Sequence, residues 1–180
     1  MTSSFVYIYS IEKQPAVLDT SFWVLGHRVD VLVYLFRFFT VTVPDAVWEE
    51  IFAADPRYPH RIYGYQELFR VLAAQGTLVR QNPVQPLAQF HAGEAAAVAL
   101  AWEQQWWLLL NEQRALTFAR QHALKVVTVP EFIVYLYEAH LLSYRSARIK
   151  LDGIAANTGQ RVMQAARHAL GALAQERGEG

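Results

Sequence analysis

Cysteine is absent from all 180 residues, which excludes disulfides, thiolate zinc sites and cysteine nucleophiles and fits a reducing compartment, the cytoplasm. Oxygen and imidazole remain as metal ligands. The six histidines show no His-x-x-x-His or similar ligand spacing, so zinc is not expected. Net charge is also lacking: 16 Lys plus Arg balance 16 Asp plus Glu. No global positive field draws the chain to nucleic acid, and any such contact has to come from local patches. No Gly-x-Ser-x-Gly elbow, phosphate-binding P-loop or dinucleotide fingerprint occurs, which leaves serine hydrolase, P-loop nucleotidase and Rossmann dehydrogenase without support. Uninterrupted apolar runs are missing too. The most apolar stretch, residues 22–43, is broken by His27, Arg28, Asp30 and Arg37, which are costly in a bilayer. Residues 1–10 lack a basic start followed by a long apolar stretch, so no signal peptide is read. A soluble protein is expected.

What is present is apolar residue, 53% of the chain, enough for one domain with a proper core. Short β-branched or aromatic runs alternate with longer helical patterns. Strands are expected at residues 16–18, 40–43, 77–80, 107–110 and 125–127, and helices at 29–38, from Asp45, at 62–74, 93–104, 113–122 and 131–139. Alternation of this kind predicts a three-layer α/β/α sandwich around a mainly parallel sheet, because parallel strands need crossover connections and both faces must be covered. Beyond Leu142 the sequence turns polar and helical, with a break at Gly153 and at residues 157–159 and an alanine-rich helix over 160–175. The expected organisation is a domain over 1–142, a helical extension over 143–175 and a disordered tail over 176–180.

Asp19 follows the apolar Ala16-Val17-Leu18 run directly, so its carboxylate sits at the carboxyl end of a central strand, where open α/β sheets place their ligands. The plain alternative is that Asp19 caps the next helix, at about even odds. Asn111 and Glu112 follow the strand at 107–110 and open a helix containing Arg114, which puts them in the same strand-end layer. Glu94 begins a helix after Gly93, where the macrodipole favours acids in any case. Glu50 lies on the helix after Val43-Pro44, and an exposed helical Glu is commonplace. Together these oxygens suggest a pocket for a hard cation, since Mg²⁺ or Mn²⁺ prefers carboxylate and water. A cation there could generate a nucleophilic water and offset charge on a phosphoryl group.

The ordered segments Val17-Leu18-Asp19-Thr20-Ser21, Val43-Pro44-Asp45-Ala46-Val47-Trp48-Glu49-Glu50-Ile51, Gly93-Glu94-Ala95-Ala96-Ala97 and Leu109-Leu110-Asn111-Glu112-Gln113-Arg114-Ala115 resemble the motifs of PIN domains. The similarity runs over residues 17–142, and the tail is similar to the helical end of a subgroup related to toxins of toxin–antitoxin pairs. This resemblance implies a metal-dependent ribonuclease (hydrolase) fold directed at single-stranded RNA. It carries Mg²⁺ or Mn²⁺ binding onto Asp19, Glu50 and Glu94, with Thr20 or Ser21 supporting and Arg114 beside them, and it implies an RNA substrate and an antitoxin protein as partners. One position departs from the pattern: Asn111 stands where the family places an Asp, removing one negative charge. Glu112 is the neighbouring acid that could substitute. The departure supports a rival expectation, a catalytically weakened module that binds RNA or a protein partner without cutting.

Arg57, Tyr58, Arg61 and Tyr63 mix cations with rings, as surfaces for single-stranded RNA do, and form the expected substrate loop; a partly packed loop with solvated arginines is the commoner outcome for such a sequence. Arg145, Arg148 and Lys150 form a second small basic cluster at helical spacing. Among Trp102, Trp106 and Trp107 at least one is expected in the core, and an exposed ring would mark a homodimer or partner surface.

Overall fold

A computed structural model describes residues 12–179. The chain enters as β1 (Gln14–Leu18), whose Ala16, Val17 and Leu18 are fully buried. It continues through α1 (Thr20–Arg28) and α2 (Leu32–Phe38) into β2 (Phe39–Val43), then α3 (Asp45–Phe52), α4 (Gly64–Ala74) and β3 (Leu78–Arg80). The second half runs α5 (Ala92–Gln104), β4 (Trp107–Leu109), α6 (Gln113–Gln121), β5 (Val126–Val127) and α7 (Val129–Glu138). It closes with α8 (Tyr144–Ile154), a 3₁₀ turn (Ala155–Asn157) and α9 (Gln160–Glu176).

All five strands are parallel, in the order β3-β2-β1-β4-β5. The chain builds outward from β1 to β2 and β3, then returns to lay β4 on the other side of β1. Successive connections therefore diverge at the carboxyl ends of β1 and β4, and that divergence leaves a crevice above the sheet. The two ends are tied directly, since the Asp19 amide donates to the Leu109 carbonyl at 3.0 Å.

Local sequence explains the helices that frame this crevice. Helix α5 is buried almost throughout, from Ala95 to Ala101, because its alanines keep the side chains short enough for close approach to β1 and α3. Helix α7 starts on a capping box in which the Thr128 hydroxyl and the Glu131 carboxylate satisfy each other's ends, with Pro130 in the first turn. The two elements supply much of one continuous core, which also takes in Trp107.

The three-layer sandwich agrees with the expected architecture, and one detail differs. The helix expected at 29–38 begins later, as α2, and a separate helix, α1, precedes it, the two divided where Asp30 takes a left-handed φ of 53°. In the C-terminal helices Ala147, Leu151, Ile154, Val162, Met163, Ala166, Leu170 and Ala174 belong to the same buried cluster as the sheet. Residues 177–179 are tied to α7. Arg177 donates to the carbonyls of Tyr137 and Glu138 at 2.9 and 2.8 Å, and the Tyr137 hydroxyl donates to Glu179 at 3.1 Å. Helix α9 ends against the carboxyl end of α7, where a guanidinium meets unpaired carbonyls.

Candidate functional site

Asp19 sits where β1 becomes α1 and caps that helix. Its Oδ2 accepts the Ser21 amide at 2.8 Å, which caps α1, and accepts the Ser21 hydroxyl as well. Its Oδ1 is the buried side-chain oxygen without a hydrogen-bond partner among the described residues. The residue is 1% exposed. Burial pushes its carboxyl up to about 6, against the opposing hydrogen bonds from Ser21, and the Glu50 charge adds to the rise. A buried acceptor whose lone pairs meet no donor is expensive unless something positive meets it.

Glu50 reaches across from α3 to hold two other elements. Its Oε2 accepts the Thr20 hydroxyl at 2.8 Å, and its Oε1 accepts the Gly93 amide at 2.8 Å. Both contacts lie at helix starts, of α1 and α5, so the carboxylate meets orphan donors and positive dipole ends at once. Gly93 is what makes the approach possible: a Cβ there would fall inside contact distance of Glu50 Oε1, Oε2 and Cδ. The glycine is needed for space, since its φ is not in the left-handed region.

Glu94 follows at the first turn of α5 and is half-buried. Burial pushes its carboxyl up to about 7, helped by the charges of Glu112, Asp19 and Glu50 and opposed by Arg114. Mutual repulsion among four acids is what a cation would relieve.

Asn111 and Glu112 are placed differently from what substitution of one for the other requires. The Asn111 amide donates to the Ser21 hydroxyl oxygen at 2.9 Å, which brings β4 onto the Asp19–Ser21 pair. Its side-chain Oδ1 accepts the Val129 amide at 3.3 Å, and its Nδ2 donates to Thr158 at 3.5 Å. Asn111 thus braces the starts of α7 and α9. Glu112 turns its Oε2 back to cap α6, accepting the Arg114 and Ala115 amides at 2.7 and 2.9 Å.

The donor set is all hard oxygen, as Mg²⁺ or Mn²⁺ needs, and Asp19 Oδ1 is unspent. Among the described residues no three acids or histidines already close around one point, so the acids are gathered in charge while the centre stays open.

The basic loop between α3 and α4 satisfies itself. Arg57, 81% exposed, pairs with Asp55 at 3.1 Å, and Tyr63 donates to the same carboxylate at 2.9 Å. These contacts hold Asp55 down at about 2, with the Arg57 bonds the largest cause. Arg61 lies over the rings of Tyr58 and Tyr63, 5.9 and 4.9 Å from their centroids, and Tyr63 stacks on Tyr65. The second basic cluster is dispersed: Lys150 donates to the Val29 carbonyl, and Arg148 covers the Tyr144 ring. What sequence reasoning missed is Gly93 as a spacer for Glu50 and Thr158 as a partner of Asn111. A Gly before an acid at a helix start was the available signal for the first; none existed for the second.

A parallel α/β sheet with acid oxygens gathered over its switch point belongs to the class of domains that bind ligands outside the strand ends. A family model described as a PIN domain matches residues 15–176, and the chain belongs to the PIN domain family. That family has a nuclease fold, and its members generally use divalent metals. No curated protein matches the chain.

Proposed function

We propose that the chain is a Mg²⁺- or Mn²⁺-dependent endoribonuclease that hydrolyses phosphodiester bonds of RNA. The observation that carries this reading is the unpaired, buried Oδ1 of Asp19 beside Glu94, whose carboxyl is pushed up by burial and by neighbouring acids. Asp19 and Glu94 would hold the ion, with Glu50 and Glu112 adding negative charge beside it. When bound, it would activate water and offset charge on the phosphoryl oxygens.

The other residues act by placement. Ser21 holds Asp19 Oδ2 with its amide and hydroxyl, so that Oδ1 is the atom left free. Glu50 is a positioning residue that fixes the first turns of α1 and α5 through Thr20 and Gly93, and with them Asp19 and Glu94. Arg114, at the start of α6, is a cation whose charge acts on Glu94 and is suited to a phosphate oxygen. The loop carrying Arg57, Tyr58, Arg61 and Tyr63 would receive the strand farther out, by stacking on rings that are already ordered.

Calorimetric titration of Mn²⁺ into wild type and Asp19→Asn, with cleavage of a labelled RNA, tests the reading. Binding and cleavage present in wild type and lost in the variant are expected. Metal-dependent cleavage that persists in Asp19→Asn would sink it.

A second reading has its own observation: Asn111 spends both side-chain ends on Val129 and Thr158, which leaves the site one acid short. On that reading the chain binds RNA or a protein partner without cutting. Gain of Mn²⁺ affinity or nuclease activity in Asn111→Asp, with an inert wild type, would favour it. A toxin role, with an antitoxin protein covering the crevice, rests on the likeness of the C-terminal helices alone. Growth arrest on expression of wild type and not of Asp19→Asn is its expected sign.

A further inference from the structure

Beside the acid cluster lies a cleft of about 540 Å³, bounded by α1 on one side and by the turn between α8 and α9 on the other. That size is within the roughly 300–1,000 Å³ of sites that enclose small organic groups. Its apolar wall is Val24, Leu25 and Ala156; its polar wall is Arg28, Asn157 and Thr158. At its inner end stand Ser21, which donates to Asp19, and Asn111, whose backbone amide donates to Ser21.

The walls are preformed by contacts between distant parts of the chain. Arg28 donates to the Asn157 side-chain oxygen, and Asn111 donates to Thr158. Gly159 lets the turn close on α6, because a Cβ there would collide with the Gln113 amide oxygen. The Arg28 contact matters electrostatically. Arg57, Arg70, Arg80, Arg120 and Arg167 pair with carboxylates, whereas Arg28 is held by a neutral amide and has no carboxylate partner among the described residues. Glu112 also lines the cleft, at the inner end where its carboxylate caps α6, which leaves the Arg28 end as the place for an anion.

We propose that this cleft is a subsite for one nucleotide of a single-stranded RNA, with the base against Val24, Leu25 and Ala156, its edge read by Asn157 and Thr158, and the adjoining phosphate on Arg28. The C-terminal extension thereby becomes part of the substrate site and sets which nucleotide flanks the scissile bond. The chemistry is that of RNA loop readers, in which an apolar or aromatic face takes the base and amides take its edge. The proposal rests on the RNA reading above, and its test separates the two.

Binding of a fluorescein-labelled single-stranded RNA dodecamer is measured by anisotropy in EDTA, using Asp19→Asn protein so that no cleavage intervenes. Adding Arg28→Gln, or filling the cleft with Ala156→Trp at an exposed position, should each weaken binding at least about tenfold. Arg28→Gln should also reduce the salt slope by about 0.7, and Arg145→Gln, on the exposed face of α8, should stay within about twofold. If the parent protein binds RNA and both cleft variants bind as well as it does, the subsite is wrong while the RNA reading stands. If the parent does not bind RNA at all, the RNA reading fails and the subsite with it.

Discussion

Asp19 is held in a state that the metal-free protein would rather avoid. Burial raises its carboxyl from 3.8 to about 6, so the folded chain holds the proton more tightly than the unfolded chain does. A raised acid contributes its full stability below the unfolded value, near pH 4, and loses it as pH rises through about 6. At about 1.4 kcal/mol per pK unit, the ionised carboxylate costs about 3 kcal/mol at neutral pH. Urea melts in EDTA should therefore show wild type weakening between about pH 4 and 7, with Asp19→Asn shallower and more stable at the upper end. The slope left over belongs to Glu94, which is pushed up to about 7 in the same sense. Identical slopes in the two proteins would refute this account. Gly93 allows a second test at this scale, one that turns on sign. Gly→Ala in a helix ordinarily gains up to about 1 kcal/mol, yet here the new methyl collides with the Glu50 carboxylate. Gly93→Ala should destabilise wild type by about 1–3 kcal/mol and stabilise a Glu50→Ala background, as read by a double-mutant cycle; gain in both backgrounds would show that Glu50 yields freely.

At the scale of elements, the strands and most helices could be read from period and punctuation. The strands expected at residues 16–18, 40–43, 77–80, 107–110 and 125–127 each overlap an observed strand, because short β-branched runs between helical patterns have few other uses in a parallel sheet. Helix α1 was harder to see. Its Thr20-Ser21-Phe22-Trp23-Val24 start is rich in β-branched and aromatic residues and Gly26 interrupts it, so propensity argues against a helix that burial of Phe22, Trp23 and Leu25 nonetheless secures. The extension was legible as helix but not as core, since nothing local announces that Leu151, Ile154, Val162 and Leu170 face α7. A consequence can be tested. Cutting the chain after Leu142 strips α8 and α9 from α7, including the Tyr144 and Arg177 contacts of Tyr137, and forfeits several side chains worth about 1.5–3 kcal/mol each against a total stability of about 5–15 kcal/mol. The shortened chain should lose near-UV dichroism and run as aggregate on gel filtration. A monomer with a cooperative melt would show that residues 143–179 are a detachable unit.

For the molecule as a whole, the acids could be singled out because Asp19, Glu94 and Glu112 fall at strand ends or helix starts, with Glu50 on α3 between the first two in chain order. Their wiring was not legible: Glu50 to Gly93, Asn111 to Thr158 and Arg28 to Asn157 join residues 43, 47 and 129 positions apart. Zero net charge looked like an argument against nucleic acid, and the structure gives it a different meaning. Five of the thirteen arginines are paired with carboxylates, while Arg28 and Arg114 flank the crevice without such a pair among the described residues. The crevice itself can then neutralise about two or three phosphates at once. For single strands each contributes about 0.7 to the dependence of log affinity on log salt, so the slope for RNA should be about −1.5 to −2. Anisotropy titrations of Asp19→Asn with the RNA dodecamer over a range of salt concentrations measure it. A slope steeper than about −5 would require seven or more phosphate contacts, and recognition would then have to run over a basic surface that this neutral chain does not assemble at the crevice.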